Sequence, residues 1–153
     1  MNKTLVFDMD GTLNEFYHVE GWLSSLKAGK TNPYTQAKPK YDMRRLNKAV
    51  RTLKAQGYKI VIVSWLSKTS TPEYDRKVTK VKLNWLKKHH FPYDEVHIVP
   101  YGTAKNSFFK DNQAGAILFD DEEKNLQEWQ IGKAINSSSG MLEVLKALGE
   151  END

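Results

Sequence analysis

Apolar and polar positions follow two different patterns along this chain. Short runs that are almost wholly apolar are typical of strands buried on both faces, and apolar residues spaced three or four positions apart are typical of helices packed on one side. The apolar runs predict five strands, the last of them weak, at residues 4–7, 59–63, 96–99, 116–119 and 132–135. The helical spacing predicts helices after Asp42, after Thr71-Pro72, and at residues 104–110, 123–129 and 141–148.

This alternation of strand and helix predicts the fold class. Strands separated by helical segments favour a parallel sheet with helices on both faces, which is a three-layer, Rossmann-like α/β architecture. In the helix after Pro72, one apolar stripe contains Val78, Val81, Trp85 and Leu86. We expect the lysines of that helix to lie elsewhere on its surface, in solvent.

The segment 14–40 departs from this rhythm, because it is long for a connection between the first strand and the first regular helix. It contains a short helical stretch at 21–27 and two X-Pro turns. Connections of this length in compact domains are usually functional, or else they contain an element that the sequence pattern misses. We therefore predict one domain over residues 1–153, with 14–40 as a small flap or cap after the first strand.

Length and composition support a folded protein. A chain of 153 residues with a hydrophobic fraction of 39% is long enough for one real core. It has no cysteine, which excludes disulfides, a cysteine nucleophile and a zinc knuckle. The N-terminus shows no signal peptide and no apolar run reaches membrane length, so we expect a soluble, cytoplasmic protein.

The net charge of +4 is unevenly distributed. Residues 27–54 contain nine Lys and Arg and one acid, residues 76–90 contain six and no acid, and residues 116–153 contain nine Asp and Glu against three Lys. The basic segments fit either solvated helix faces or attraction of an anionic substrate, including a nucleotide or nucleic acid. Charge alone leaves both interpretations open.

Aspartates follow two of the predicted strands. Asp8 and Asp10 come directly after the first strand, and Asp120 and Asp121 end the fourth. The carboxyl ends of parallel strands meet at one edge of a sheet, so these carboxylates should converge there. Carboxylates held this close repel one another unless a cation lies between them. Ligands that are all oxygen indicate a hard ion, and we favour Mg²⁺ over Zn²⁺ or Ca²⁺.

The first aspartate pair is followed by Gly11, which can adopt a positive φ and curl the chain so that both carboxylates reach one centre. Together with three further motifs, this aspartate-glycine motif resembles a known protein superfamily. The stretches DMDGTL at 8–13 and FDDEEKN at 119–125, with Ser64 and Lys105 between them, resemble the four motifs of the haloacid-dehalogenase superfamily. Within that superfamily, the chain looks most like small phage and bacterial members related to 5′(3′)-nucleotidases.

The resemblance implies a reaction and a role for each motif residue. Asp8 would attack phosphorus and form an aspartyl-phosphate, and Asp10 would act as general acid and then as general base. Mg²⁺ would be held by Asp8, by the backbone carbonyl of Asp10 and by Asp120, with Asp121 acting through water or as an orienting group. An Asp at the second position is what the phosphatases of this superfamily carry.

Ser64 and Lys105 would bind the transferring phosphoryl oxygens, by the same resemblance. Each has an ordinary alternative, because Ser64 can simply end a strand and Lys105 can be a solvated lysine. Lys110 or Lys68 could serve in place of Lys105. Asn125 falls where the family often has a polar residue that supports the acidic loop.

The substrate is the least determined part of this prediction. Tyr17, Trp22 and Trp65 can stack on a nucleobase, but Trp22 and Leu23 can equally pack the cap onto the core. The leading hypothesis is a Mg²⁺-dependent phosphomonoesterase acting on a small phosphate ester, such as a nucleoside monophosphate. The alternatives are a phosphatase of nucleic-acid ends and a non-catalytic phosphate-binding protein of the same fold.

Overall fold

A computed structural model of the chain describes residues 3–68, 70–109 and 115–151. Five strands form one parallel sheet in the order β3-β2-β1-β4-β5. Their bounds are Thr4–Phe7 (β1), Lys59–Trp65 (β2), Glu95–Val99 (β3), Ile117–Asp120 (β4) and Ala134–Asn136 (β5). This confirms the predicted α/β fold with a parallel sheet.

Six α-helices and two 3₁₀ helices connect the strands within the described residues. The α-helices are Trp22–Lys27 (α1), Asn32–Thr35 (α2), Met43–Ala55 (α3), Pro72–Lys88 (α4), Glu123–Glu128 (α5) and Met141–Glu151 (α6). The 3₁₀ helices are Phe16–His18 and Lys105–Phe108. No described helix has the length and apolar character needed to cross a membrane.

Side chains of β1 alternate between two cores, as the pleat of a strand requires. Leu5 and Phe7 pack into a core with α3, α6 and the end of α4, whereas Val6 packs into a second core with Leu118 and Trp129. All five of these side chains are fully or almost fully buried. The sheet is therefore covered on both faces, which explains why the runs 5–7 in β1, 60–63 in β2 and 117–119 in β4 are apolar without alternation.

The segment 14–40, which we call the cap segment, folds onto the start of α4. Its buried residues Phe16, Leu26 and Tyr34 form a third cluster with Tyr74 and Val78 of α4. This packing holds the segment over the carboxyl end of the sheet.

Three local predictions need correction. The second strand continues through Ser64 to Trp65, so both residues lie in β2 and not after it. The predicted helix at 104–110 is a 3₁₀ helix at Lys105–Phe108, and Lys110 lies outside the described residues. Lys82 of α4 was expected in solvent and is instead fully buried.

The junction between β2 and β3 contains a carboxylate whose charge should contribute to stability. Asp94 Oδ2 accepts a hydrogen bond from the Ile60 amide at 2.8 Å, and its Oδ1 lies 3.1 Å from Lys54 Nζ. Partial burial opposes the ionised form, but the Ile60 amide and Lys54 outweigh it and hold the pKa of Asp94 below its ordinary value. A lowered pKa stabilises the fold above the unfolded-state pKa, and this contribution is lost as pH falls through the folded-state value.

We therefore expect Asp94→Asn to lower the melting temperature near neutral pH, and the difference from wild type to shrink as the pH falls below about 4. Thermal unfolding followed by circular dichroism across that range measures it. Glu95→Gln is the matched control, because it removes an exposed ion pair to Lys59 that should contribute little. A pH-independent difference for Asp94→Asn would contradict this account.

Candidate active site

Three carboxylates meet at the carboxyl end of the sheet, where the adjacent strands β1 and β4 stop. Oxygens of Asp8, Asp120 and Asp121 all lie within 4.8 Å of one another. Asp120 is fully buried and Asp8 nearly so. The structure thus brings together three of the four aspartates that the sequence predicted as metal ligands, in the place where ligands bind to open parallel sheets.

The turn after β1 carries the fourth predicted aspartate. Gly11 has φ of +85° and its amide donates to the Asn14 backbone carbonyl, while the Leu13 amide donates to the Met9 carbonyl at 2.8 Å. The chain therefore reverses at once after Asp10, whose carboxylate accepts a hydrogen bond from Asn14 Nδ2 at 3.1 Å. Asp10 lines the same pocket as Asp8 but is held by different partners.

Lys105 lies between the carboxylates that end β1 and β4. Its Nζ donates to Asp8 Oδ1 at 2.9 Å and to Asp120 Oδ2 at 2.7 Å. Burial favours the neutral amine, but the charges of Asp8 and Asp120 outweigh burial and raise the pKa of Lys105 above its ordinary value. Lys105 is therefore a fixed cation in contact with Asp8, the predicted nucleophile, and is not a solvated lysine.

One lysine does not neutralise this cluster. Burial, followed by the charge of Asp8, raises the pKa of Asp120 to about 6. Burial and the neighbouring Asp8 and Asp120 raise the pKa of Asp121 to about 8. The single positive charge of Lys105 is outnumbered by three carboxylates, which offer only oxygen as metal ligands, so the residues present fit a hard divalent cation such as Mg²⁺.

Neutral side chains orient the acidic cluster. Thr12 Oγ1 donates to Asp8 Oδ2 at 3.3 Å and lies 2.9 Å from Ser137 Oγ. Asn125 Nδ2 donates to Asp120 Oδ2 at 3.0 Å. Asn125 therefore supports the acidic loop, as the resemblance implied, and Ser137 is an additional polar neighbour of Thr12.

Lys82 is a residue of this region that the sequence analysis missed. Its Nζ donates to Asp10 Oδ2 and to the hydroxyl of Ser64, which is itself 1% exposed. The sequence nevertheless indicates that Lys82 is buried, because it follows Val78 by four residues and precedes Leu86 by four. That spacing places it on the apolar face of α4, where a lysine needs a buried partner.

A pocket of about 470 Å³ opens over the carboxylates. One wall comes from the cap segment and contains Tyr17 and Trp22, whose ring centroids are 5.1 Å apart. A second aromatic pair in the lining is Trp65 and Tyr101, with centroids 4.9 Å apart, and Lys68 Nζ lies 5.1 Å from the Tyr101 centroid. All three predicted substrate-contacting aromatics therefore line one pocket with the aspartates.

Comparisons with known proteins bear on the fold. No family model and no curated protein matches the sequence. The structure is similar to D,D-heptose 1,7-bisphosphate phosphatase from Burkholderia thailandensis, at 12% identity and a TM-score of 0.55, covering 98% of this chain and 97% of that one. It is also similar to the B. bronchiseptica enzyme of the same name in complex with magnesium and phosphate, at 11% identity and a TM-score of 0.53, covering 97% of each chain.

A third similar structure is a protein from Mesorhizobium loti named as a HAD-like phosphatase. It shares 15% identity with this chain at a TM-score of 0.54, covering 99% of this chain and 87% of that one. At these identities the likeness shows a shared fold. It confirms the predicted three-layer architecture.

Gly11 is the position where a side chain would most directly disturb the site. A Cβ built there would lie 2.3 Å from Asp121 Oδ2 and 3.0 Å from Tyr17 Cε2. We expect Gly11→Ala to displace Asp121 and weaken Mg²⁺ binding at least tenfold, measured by isothermal titration calorimetry. Gly29→Ala is the control, because Gly29 also has a positive φ but no atom within 4 Å of its Cβ position. Equal effects of both substitutions on Mg²⁺ affinity would contradict this prediction.

The raised pKa values of the carboxylates predict a pH-dependent response to metal. The folded, metal-free protein keeps protons on Asp120 and Asp121 up to pKa values of about 6 and about 8, whereas the unfolded chain loses them near 3.8. Stability of the metal-free protein should therefore fall as pH rises through that window. Mg²⁺ needs the ionised carboxylates, so its stabilisation should be larger at pH 8 than at pH 6.

Thermal unfolding with and without Mg²⁺ at the two pH values measures this difference. Asp121→Asn should stabilise the metal-free protein at pH 8 and reduce the response to Mg²⁺. A Mg²⁺ response that is the same at both pH values would overturn the electrostatic account of the cluster.

Proposed function

We propose that this protein is a Mg²⁺-dependent phosphomonoester hydrolase that acts through an aspartyl-phosphate on Asp8. The observation that carries the proposal is the cluster of Asp8, Asp120 and Asp121 in the lining of a pocket, with the buried Lys105 in contact with the first two. A binding protein for phosphate would be poorly served by three carboxylates, which repel an anion. The same carboxylates suit a site that holds a cation and supplies a nucleophile.

In the first step, an Asp8 carboxylate oxygen forms a bond to phosphorus while the bond from phosphorus to the ester oxygen breaks. Asp10 gives its proton to that leaving oxygen, so the alcohol departs neutral. Lys105 already contacts Asp8 and Asp120 through two of the three N–H groups of an ammonium, and we assign the third to a transferring phosphoryl oxygen.

In the second step, water attacks the phosphorus of the aspartyl-phosphate. Asp10, now ionised, takes the proton from that water, and the bond from phosphorus to the Asp8 oxygen breaks to release phosphate. Asp8, Asp120 and Asp121, with the Asp10 carbonyl, would hold Mg²⁺, which would supply positive charge against the repulsion between carboxylate and phosphate. The proposed role of Ser64 is to orient the phosphoryl group from the end of β2.

The proposed substrate class is a small phosphate ester with a planar group, such as a nucleoside monophosphate. Support comes from the two aromatic pairs in the lining of the pocket, Tyr17 with Trp22 and Trp65 with Tyr101, because a base can stack on such rings. Tyr17 and Tyr101 are about half exposed, which leaves their rings accessible. In this proposal the cap segment over residues 14–40 selects the substrate. The protein is proposed to be a single domain and to act in the cytoplasm.

A second candidate function, phosphatase of a nucleic-acid end, is favoured by a basic pocket on another face. This pocket of about 500 Å³ lies between α3 and the end of α4, and none of its described lining residues is acidic. Its basic lining residues are Arg44, Lys48, Arg51 and Lys88, and His89 and His90 lie beside them. Such a surface can bind a phosphate backbone, whereas a mononucleotide has no need of it.

One panel of substrates separates these functions. Purified protein with Mg²⁺ is assayed for phosphate release from p-nitrophenyl phosphate, nucleoside 5′- and 3′-monophosphates, sugar phosphates and a 3′-phosphorylated oligonucleotide. The proposal predicts turnover that chelation of Mg²⁺ abolishes, with the highest kcat/KM on a nucleoside monophosphate. Preference for the oligonucleotide, with strong inhibition by salt, would support the second function, and no turnover of any ester would favour a phosphate-binding protein.

A further inference from the structure

Lys82 is a charged side chain with 0% exposure, which requires that its charge and its N–H groups all be matched. Its Nζ donates to Asp10 Oδ2 at 2.8 Å, to Ser64 Oγ at 2.7 Å and to the Trp65 backbone carbonyl at 2.8 Å. An ammonium group has three N–H donors, so these bonds use all of them. Lys82 therefore has no donor left for a substrate phosphate.

The Asp10 carboxylate is held at both oxygens. Asn14 Nδ2 donates to Oδ1 at 3.1 Å, and Lys82 Nζ donates to Oδ2 at 2.8 Å. Any rotation of the carboxylate would break at least one of these bonds. Asn14 is itself fixed, because its Oδ1 accepts hydrogen bonds from the Gly11 and Phe16 amides.

Lys82 also links this carboxylate to the cap segment. Its Nζ lies 5.2 Å from the ring centroid of Tyr34, within the range of a cation–π contact. Burial, together with the Asp10 charge, raises the pKa of Tyr34, so its phenol stays neutral. The Tyr34 ring packs 4.7 Å from the Phe16 ring in the cap segment.

We propose that Lys82 is a positioning residue for the proton transfers of Asp10, an assignment that rests on the proposed function. The ammonium holds the Asp10 carboxylate towards the pocket, where the leaving oxygen of the ester departs. It acts through Asp10 and does not touch the substrate. It also ties this carboxylate to the end of β2 and to the cap segment that covers the pocket.

A positioning role has a signature that a structural role lacks. A general acid matters most when the leaving oxygen is strongly basic and matters little for a stable leaving group such as p-nitrophenolate. Phenyl phosphate and p-nitrophenyl phosphate are similar in shape but differ in the basicity of the oxygen that leaves. Loss of Asp10 positioning should therefore harm the first ester more than the second.

The experiment measures kcat/KM for both esters with Mg²⁺ in wild type, Lys82→Met and Lys80→Met. Lys80 is exposed on the same helix and serves as the control. We expect Lys82→Met to lose at least about tenfold more activity on phenyl phosphate than on p-nitrophenyl phosphate, and Lys80→Met to match wild type. Equal losses of Lys82→Met on the two esters would overturn the assignment.

Lys82→Met leaves the Asp10 carboxylate without its cation, and this variant could fail to fold for that reason. A double variant tests the proposal in that case. Asp10→Asn/Lys82→Met removes both charges, so no buried charge is left without a partner. Its kinetic constants should equal those of Asp10→Asn alone on both esters, and a further tenfold loss would contradict the proposal. Wild-type protein that hydrolyses neither these two esters nor any other substrate of the panel described above would instead refute the proposed function itself.

Discussion

Asp8→Asn is expected to reduce turnover at least about 10³-fold, because the amide oxygen cannot take the place of the carboxylate that attacks phosphorus. The substitution preserves the shape of a side chain whose oxygens accept from Lys105 and Thr12. It also removes one of the charges that raise the pKa values of Asp120 and Asp121. The variant should therefore fold and melt no lower than wild type.

Steady-state phosphate release with Mg²⁺ and a melting curve on the same preparation test this prediction. Asp42→Asn is the control, because Asp42 caps α3 at an exposed position and asparagine caps helices equally well. Turnover by Asp8→Asn equal to that of wild type would remove Asp8 from the reaction.

Lys105→Met should lose both stability and rate. The substitution leaves Asp8 and Asp120 without their shared buried cation, and breaking a buried ion pair from one side costs about 3–5 kcal/mol. It also removes a positive charge from the place where charge develops in the reaction, for which a loss of about 10²–10³-fold in kcat is expected. Saturating Mg²⁺ should restore part of the stability by supplying positive charge, but not the rate.

Chemical denaturation with and without Mg²⁺, together with kcat, measures these effects. Lys124→Met is the control, because Lys124 is exposed and its ion pair with Glu128 is 3.9 Å long. A Lys105→Met variant with wild-type kcat would show that this lysine is structural.

The sequence predicted much of this architecture because the sheet is buried on both faces. Strands with that burial must be apolar throughout, and 4–7, 59–63 and 116–119 stand out for that reason. Their order and spacing made a parallel sheet the natural arrangement. Strand ends were harder to place, since Ser64 is polar and nevertheless continues β2.

The acidic half of the site was predictable for a related reason. Asp8 directly follows β1 and Asp120 is the last residue of β4, and these two strands pair side by side, so the topology alone brings the two aspartates together. The contacts of Lys105 depend on the short 3₁₀ helix at Lys105–Phe108. The spacing of apolar residues in the sequence does not predict where such a helix lies. Lys82 was missed because a lysine is read as a surface residue, although its place on the apolar face of α4 indicated burial.

The proposed reaction passes through a phosphoryl group bound to Asp8, and this group can be detected. Wild-type protein mixed with Mg²⁺ and excess substrate is quenched in acid within the first turnover and analysed by peptide mass spectrometry. The account predicts a peptide that carries one phosphoryl group on Asp8, and its absence from Asp8→Asn. Turnover with no phosphorylated peptide, or with the group on another residue, would contradict the account.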